Sequence, residues 1–277
     1  MCPSAATASV VRDVTDQEIE FYREHGWVKL EGFVDPATVE RMLIRLKAKM
    51  GEDASADAGG GYSDDAATSR PAAARALFNS YEGLSAEEQE FRAVSMSAAM
   101  GRALSRLADD GVRFWDDMAL VKMPVEKAGG KTPWHQDMPY YPFDRLGMLN
   151  LWLALVDVPP EMGTMRFVEG SHRWGPLGRV IHRTDGVDTV DLLPPDLKDK
   201  FEVSPPLRLV AGDATVHNLM TIHSAPENRT HDPRWAYVLT VFPDQALYTG
   251  APHRNTDGLG LTVNERLEHE RFPLLPR

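Results

Sequence analysis

The chain has 277 residues, of which 43% are apolar, 8% aromatic and 26% charged. This globular composition can bury a sizeable core, and the apolar runs fall short of the roughly 18–20 residues a bilayer span needs. The formal charge of −11, from 30 basic and 41 acidic side chains without a dense Lys/Arg cluster, disfavours nucleic acid or an anionic membrane surface as a partner. A single cysteine, Cys2, excludes an intramolecular disulfide and a thiolate metal centre, so any metal must use His, Asp or Glu.

The first residues lack a basic start and a sustained apolar run, and the cytoplasm is the expected compartment. Thr15-Asp-Gln-Glu18 is a capping box and Gly26 a C-terminal stop, which predicts a helix over Asp16–His25. Trp27–Leu30 alternates as a short strand does, and Asp35-Pro36 predicts a second helix running toward Met50. Residues 52–71 are rich in Gly, Ala, Asp and Ser without apolar period, and are expected to form a mobile loop. Ser85-Ala-Glu-Glu88 reads as a second capping box opening a helix that extends, with a break, through Leu107.

From Phe114 the pattern becomes short β-like runs: Met118–Met123, Leu149–Val156, Met165–Val168, Leu207–Val210, Ala214–Val216 and Trp235–Phe242. Few helical patterns separate them, so an antiparallel sandwich or barrel is expected in place of βαβ units. The expected organisation is one domain over 1–277, with a flexible N-terminus (1–13), a helical layer (14–112), a β-core carrying the chemistry (113–245) and a C-terminal extension (246–277).

The most informative stretch is Thr132-Pro-Trp-His135-Gln-Asp137-Met-Pro-Tyr-Tyr141-Pro-Phe143. On an extended strand His135 and Asp137 point to one face. Together they supply two of the three ligands of a 2-His-1-carboxylate triad. His-x-Asp alone is weak; the aromatic and proline residues around it look like a stiff pocket wall. His217 and His223 are both candidates for the third ligand, and their even separation does not choose between them. Arg234 opens the alternating strand Trp235–Phe242, where a buried guanidinium could hold a carboxylate in a bidentate fork.

His135-Gln-Asp-x-x-Tyr-Tyr-Pro-Phe143, Trp152-Leu-Ala-Leu155, Gly170-Ser-His172, Gly212-Asp213 and His223-x-x-x-x-Asn228 followed by Arg234 together resemble the phytanoyl-CoA dioxygenase family. The resemblance runs from about Val14 to Phe242 and is clearest from Met118 onward. It implies a mainly β core of the α+β class, a double-stranded β-helix (jelly-roll, cupin-like) with flanking N-terminal helices. It also implies a dioxygenase using iron(II), 2-oxoglutarate and O₂, with ascorbate as the reductant in vitro and a small molecule as substrate.

Position by position, the resemblance implies His135, Asp137 and His223 as iron ligands and Arg234 as the partner of the distal carboxylate of 2-oxoglutarate. Trp152 and Met118 fall where the family lines the co-substrate pocket, with Gln136 as a further contributor. Where some relatives have a serine two residues after the distal histidine, this chain has Ala225, leaving Ser224, one residue early, as the nearby hydroxyl. His217 then reads as a supporting residue, and His172 as structural.

Phe114, Trp115, Tyr140 and Tyr141 are substrate-facing candidates, with core packing as the competing reading. His182, His253 and His269 are expected at the surface. Asp137 favours hydroxylation over halogenation, because related halogenases have a small residue in place of the carboxylate. The competing readings are a cupin-like metal-dependent isomerase or lyase and a metal-stabilised binding protein. Within the oxygenase reading, desaturation, cyclisation, epoxidation and epimerisation compete with hydroxylation.

Overall fold

A computed structural model describes residues 9–54, 79–127, 129–145, 147–178 and 188–277, with Tyr140 described in its backbone only. Most of the expected 52–71 loop, from residue 55 on, and His182 lie outside the described residues. Helix α1 (Asp16–His25) begins at Thr15, whose hydroxyl accepts from the Glu18 amide while Glu18 reaches back to Thr15, and it ends at Gly26 with φ of 81°. Strand β1 (Trp27–Leu30) follows, and helix α2 (Pro36–Met50) is capped by the Asp35 carboxylate.

The second expected capping box is not one. Gly83, in the left-handed region, precedes the short helix α3 (Leu84–Glu87), and Ser85 lies inside it. The Ser85 amide is already bonded to the Asp117 carboxylate at 2.9 Å, so a long-range partner replaces the local cap. Extended backbone at Glu88 then separates α3 from α4 (Gln89–Ser95), and Ser97 caps α5 (Ala98–Ala108).

The remaining strands are β2 (Asn79–Glu82), β3 (Val112–Lys122), β4 (Thr132–His135), β5 (Leu149–Ala154), β6 (Arg166–Phe167), β7 (Ala214–Asn218), β8 (His223–Ala225) and β9 (Arg234–Pro243). They form a six-stranded antiparallel sheet, β1-β7-β5-β9-β3-β2, and a three-stranded sheet, β4-β8-β6. The expected strand at Leu207–Val210 is reduced to a single bridge, Val158 to Leu209. β2 was not expected; its Asn-Ser-Tyr-Glu sequence has no strand signature, and pairing with β3 imposes the conformation.

Alternation gives the large sheet two faces. Ala119, Val121, Leu151, Leu153, Val216, Tyr237 and Leu239 pack outward into the main core with helix residues such as Met42, Leu46, Phe91 and Leu104. Each such fully buried side chain contributes roughly 1.5–3 kcal/mol. Trp152, Ala154, Ala236 and Val238 share a second cluster with Val158, Met162 and Leu209, on the side where Trp27 of β1 stacks on Phe167 of β6 at 4.7 Å. The result is the jelly-roll architecture of a double-stranded β-helix, with helices covering one face and the small sheet facing the other.

Candidate metal centre

β4 and β8 are antiparallel neighbours with His135 opposite His223, which sets the two imidazoles side by side with ring centroids 4.2 Å apart. Asp137 joins them by another route than strand alternation. β4 ends at His135, and Asp137 adopts the right-handed helical region (φ −83°, ψ −36°) as the chain turns into the 3-10 turn Met138–Tyr140. The Leu219 carbonyl fixes that turn by accepting from the Asp137 and Met138 amides at 2.9 and 3.0 Å. One carboxylate oxygen then lies 3.2 Å from His135 Nε2 and the other 3.7 Å from His223 Nε2. His135, Asp137 and His223 each bring one ligating atom within 4.8 Å of the others.

Backbone carbonyls select the tautomers. His135 Nδ1 lies 2.8 Å from the Pro133 carbonyl and His223 Nδ1 3.0 Å from the Thr221 carbonyl. A carbonyl can only accept, so each Nδ1 donates and each Nε2 is the nitrogen that faces the carboxylate. Asn150 of β5 donates to Asp137 Oδ2 at 2.7 Å, and Thr240 of β9 donates to Asn150 Oδ1 at 2.6 Å. Burial works against the Asp137 charge, but His223, His135 and His217 outweigh it and hold the carboxyl well below its usual range. Burial and the neighbouring His135 hold His223 well below the usual imidazole value. Burial opposes a charge on His135, but the hydrogen bond and charge of Asp137 outweigh it and raise that imidazole's value. A divalent cation requires the carboxylate ionised and takes the place of any proton on the two Nε2 atoms.

His217, on β7 opposite Asn150, lies against His223 with ring centroids 4.3 Å apart and planes tilted by 48°, and brings Nε2 to 3.5 Å from Asp137 Oδ2. Among the described residues neither of its ring nitrogens has a hydrogen-bond partner. It is a third imidazole at the edge of the centre.

Arg234, only 1% exposed, projects from the start of β9 on the same face as Trp152, and its guanidinium carbon lies 5.1 Å from the centre of that indole ring. Nη1 donates to the Gly163 carbonyl, whereas Nε has no partner among the described residues. Burial lowers its pKa to about 9. A buried guanidinium with an uncommitted donor, walled by Trp152, Met118, Leu120 and Val238, is a ready seat for a carboxylate.

The remaining expected residues are spread over the fold, and Tyr141 alone of those described reaches the centre. Gln136 turns away from the ligands that flank it, donating to Gly175 and Met220 carbonyls at 2.9 and 2.7 Å and accepting from the Leu177 amide. Ser224 pairs with Arg166 and, by alternation, faces away from His223 and Ala225. Phe114 packs toward the helical layer. Trp115 is buried in an aromatic cluster, stacked on Phe272 at 4.8 Å and edge-on to Phe143 at 4.7 Å. Half-buried Tyr141 edges that cluster while its phenol faces Thr240 and the Asp116 and Asp137 carboxyls, and burial with those two charges raises its pKa; the side chain of Tyr140 lies outside the described residues. His253 does not stand free at the surface: the C-terminal segment folds back and places its ring 4.9 Å from Trp115.

Sequence reasoning missed Asn150 and Thr240. Both lie in strands whose alternation was visible, on the face shared with Trp152, and that shared parity was the available signal.

A fold and centre of this kind define a non-haem iron oxygenase site, and the comparisons give its family. The phytanoyl-CoA dioxygenase (PhyH) family model matches residues 22–236, and the chain belongs to that family. Phytanoyl-CoA dioxygenase domain-containing protein 1 of Danio rerio is 22% identical over 269 residues, covering 84% of this chain and 91% of the relative. Among solved structures, the non-heme alpha-ketoglutarate-dependent carbocyclase SnoK from nogalamycin biosynthesis superposes with a TM-score of 0.74 at 25% identity, covering 95% of this chain and 96% of its own. The non-heme alpha-ketoglutarate-dependent epimerase SnoN, from the same biosynthesis, gives 0.72 at 26% identity, covering 95% and 98%.

The family uses iron(II), 2-oxoglutarate and O₂. The residues here fit that group: the donor set is two imidazoles and a carboxylate, and a buried cation with a free donor stands beside it. No helix among the described residues is long and apolar enough to cross a membrane.

Proposed function

We propose that this protein hydroxylates a C–H bond of a small-molecule biosynthetic intermediate in the cytoplasm, with iron held by His135, Asp137 and His223 and with succinate and CO₂ as co-products. The observation that carries this reading is the convergence of a 2-His-1-carboxylate donor set with a buried arginine whose Nε is uncommitted.

The bound metal and co-substrate supply the oxidising chemistry. The residues of this chain supply position and exclusion. Asn150 and Thr240 fix the Asp137 carboxylate, and the Pro133 and Thr221 carbonyls fix the two imidazoles. Arg234 orients the distal carboxylate of 2-oxoglutarate, with the Trp152 ring beneath its guanidinium. Met118, Leu120 and Val238 give the pocket an apolar wall that excludes water.

A second reading, cyclisation or epimerisation, is favoured by the likeness to a carbocyclase and an epimerase. Product mass separates the outcomes. Protein supplied with iron(II), ascorbate, 2-oxoglutarate and ¹⁸O₂ is incubated with candidate intermediates, and succinate is counted against product. Hydroxylation adds one labelled oxygen; ring closure removes two hydrogens; epimerisation leaves the mass unchanged. Full coupled turnover by a folded His135→Ala variant would sink the ligand assignment.

A further inference from the structure

The inner face of β3 carries Asp116, Met118, Leu120 and Lys122, opposite Thr240, Val238, Ala236 and Arg234 of β9. Lys122 and Arg234 are therefore direct cross-strand neighbours, two long cations leaving adjacent strands on the same face. Such like-charge pairs are unfavourable even at a surface. Here both are buried, Lys122 at 0% exposure.

Lys122 spans to the small sheet. Its Nζ lies 2.8 Å from the Gly130 carbonyl, 3.3 Å from Thr132 Oγ1 and 3.3 Å from the Ala225 carbonyl. Thr132 and Ala225 are themselves register partners, in the strands that carry His135 and His223. Three acceptors match the three donors of an ammonium, whereas a neutral amine has two and leaves one acceptor unserved. The bonding geometry thus suits the charged form.

The electrostatics oppose it. Burial and the Arg234 charge lower the Lys122 pKa to about 6, and Glu227 from the segment after β8 raises it only in part. The Gly130, Thr132 and Ala225 acceptors are themselves uncharged. An anion arriving beside Arg234 would remove this conflict, since an opposite charge at close range favours the charged state.

We propose that Lys122 is a positioning residue for the co-substrate, acting with Arg234 as a second cation for the distal carboxylate of 2-oxoglutarate while its ammonium braces β4 against β8. This rests on the co-substrate reading above. Docking of the dicarboxylate favours the ammonium, so Lys122 takes a proton from solution as 2-oxoglutarate binds, and the third acceptor is then served. Reading a dicarboxylate is in this way tied to tightening the strands that hold both histidine ligands.

The test is anaerobic calorimetry on the full chain loaded with Mn(II), at about pH 7.5, in two buffers of different ionisation enthalpy, so that protons taken up are counted. The probes are 2-oxoglutarate and 2-oxopentanoate, which has the same chain length without the distal carboxylate. Wild type takes up a large fraction of a proton with 2-oxoglutarate and none with 2-oxopentanoate. Lys122→Met abolishes the uptake and weakens 2-oxoglutarate about 10- to 100-fold, as loss of a buried cation several ångströms from the carboxylate does, with 2-oxopentanoate weakened far less.

Equal weakening of both acids would mean a structural brace alone and overturns the proposal, as does the absence of proton uptake in wild type. Failure of wild type to bind 2-oxoglutarate at all removes the co-substrate reading, and this proposal with it. If Lys122→Met does not fold, Lys122→Arg, charged at every working pH, decides: it binds 2-oxoglutarate about as tightly as wild type without proton uptake, and uptake that persists there puts the proton on another group, such as Asp116, and overturns the proposal.

Discussion

The bond from Asn150 to Asp137 is the most direct lever on the candidate metal centre that leaves the three proposed ligands in place. Asn150→Leu keeps the side-chain volume close and removes the donor 2.7 Å from Asp137 Oδ2. A hydrogen bond to a charged group contributes about 1.5–3 kcal/mol, which corresponds to roughly a 10- to 100-fold change in affinity. The same range is expected when the partner of a metal ligand is removed, so two independent arguments agree. Thr240→Val removes the 2.6 Å bond that orients the Asn150 amide but leaves the amide, and its effect should be only severalfold. Mn(II) affinity measured by electron paramagnetic resonance, beside thermal melts to confirm folding, orders the variants. Folded Asn150→Leu protein binding Mn(II) within twofold of wild type would refute the assignment of Asn150 as the residue that fixes the carboxylate.

Four further outcomes follow from the structure. Burial raises the Asp116 pKa to about 7, so the folded chain keeps a proton that the unfolded chain releases from about pH 4; stability falls as pH rises through that window, by up to about 4 kcal/mol. Asp116→Asn should therefore be more stable than wild type at pH 8 by urea titration, with a smaller difference at pH 5, and a pH-independent difference would contradict this. Arg113 is buried between Asp244 at 2.7 Å and the Phe272 carbonyl at 3.1 Å, so Arg113→Met should cost about 3–5 kcal/mol and speed amide exchange in the C-terminal segment around residue 272. The Asp244 carboxyl, held low by Arg266 and Arg113 against the effect of burial, contributes stability above about pH 4 that is lost as pH falls through its folded value. Gly163 has φ of 77° and a Cβ there would lie 2.4 Å from the Pro226 carbonyl, so Gly163→Ala should displace the carbonyl that anchors Arg234 and weaken 2-oxoglutarate binding by calorimetry about tenfold.

The parts of the fold written in local chemistry were legible in the sequence. Thr15, Glu18 and Gly26 bound α1, and Asp35-Pro36 opens α2, because caps act within a few residues. Ser85 misled because a carboxylate thirty-two positions away, Asp117, takes the amide that a local cap would have used. β2 was silent for a related reason: it has no strand pattern of its own and is a strand because β3 lies beside it.

At the candidate metal centre, His135 and Asp137 were proposed from their spacing and His223 was chosen over His217 through the resemblance, but the route by which Asp137 arrives was misjudged. Alternation was expected to carry it, whereas a turn held by the Leu219 carbonyl does. No property of the tripeptide itself marks that turn. Gln136 shows the converse. Its position between two ligands made it a candidate, yet the same turn rotates its amide toward the Gly175 and Met220 carbonyls.

The period of two along β3, β5 and β9 does more than separate core from cavity. Along the inner face of β3, cationic Lys122 is followed by apolar Leu120 and Met118 and then by the carboxyl of Asp116, while the paired positions of β9 run from Arg234 through Ala236 and Val238 to Thr240. The cations thus lie at one end of the face and hydrogen-bonding groups at the other, next to the Asn150–Asp137 link. An anion entering this cavity is drawn to the Arg234 end, leaving the Asp116 end to groups that donate hydrogen bonds. The net charge of −11 has no part in that polarity. It is set by two basic and two polar side chains at matched register positions, so a one-residue slip of β3 against β9 would turn Lys122 and Asp116 to the helical layer and break both pairings while leaving the composition untouched.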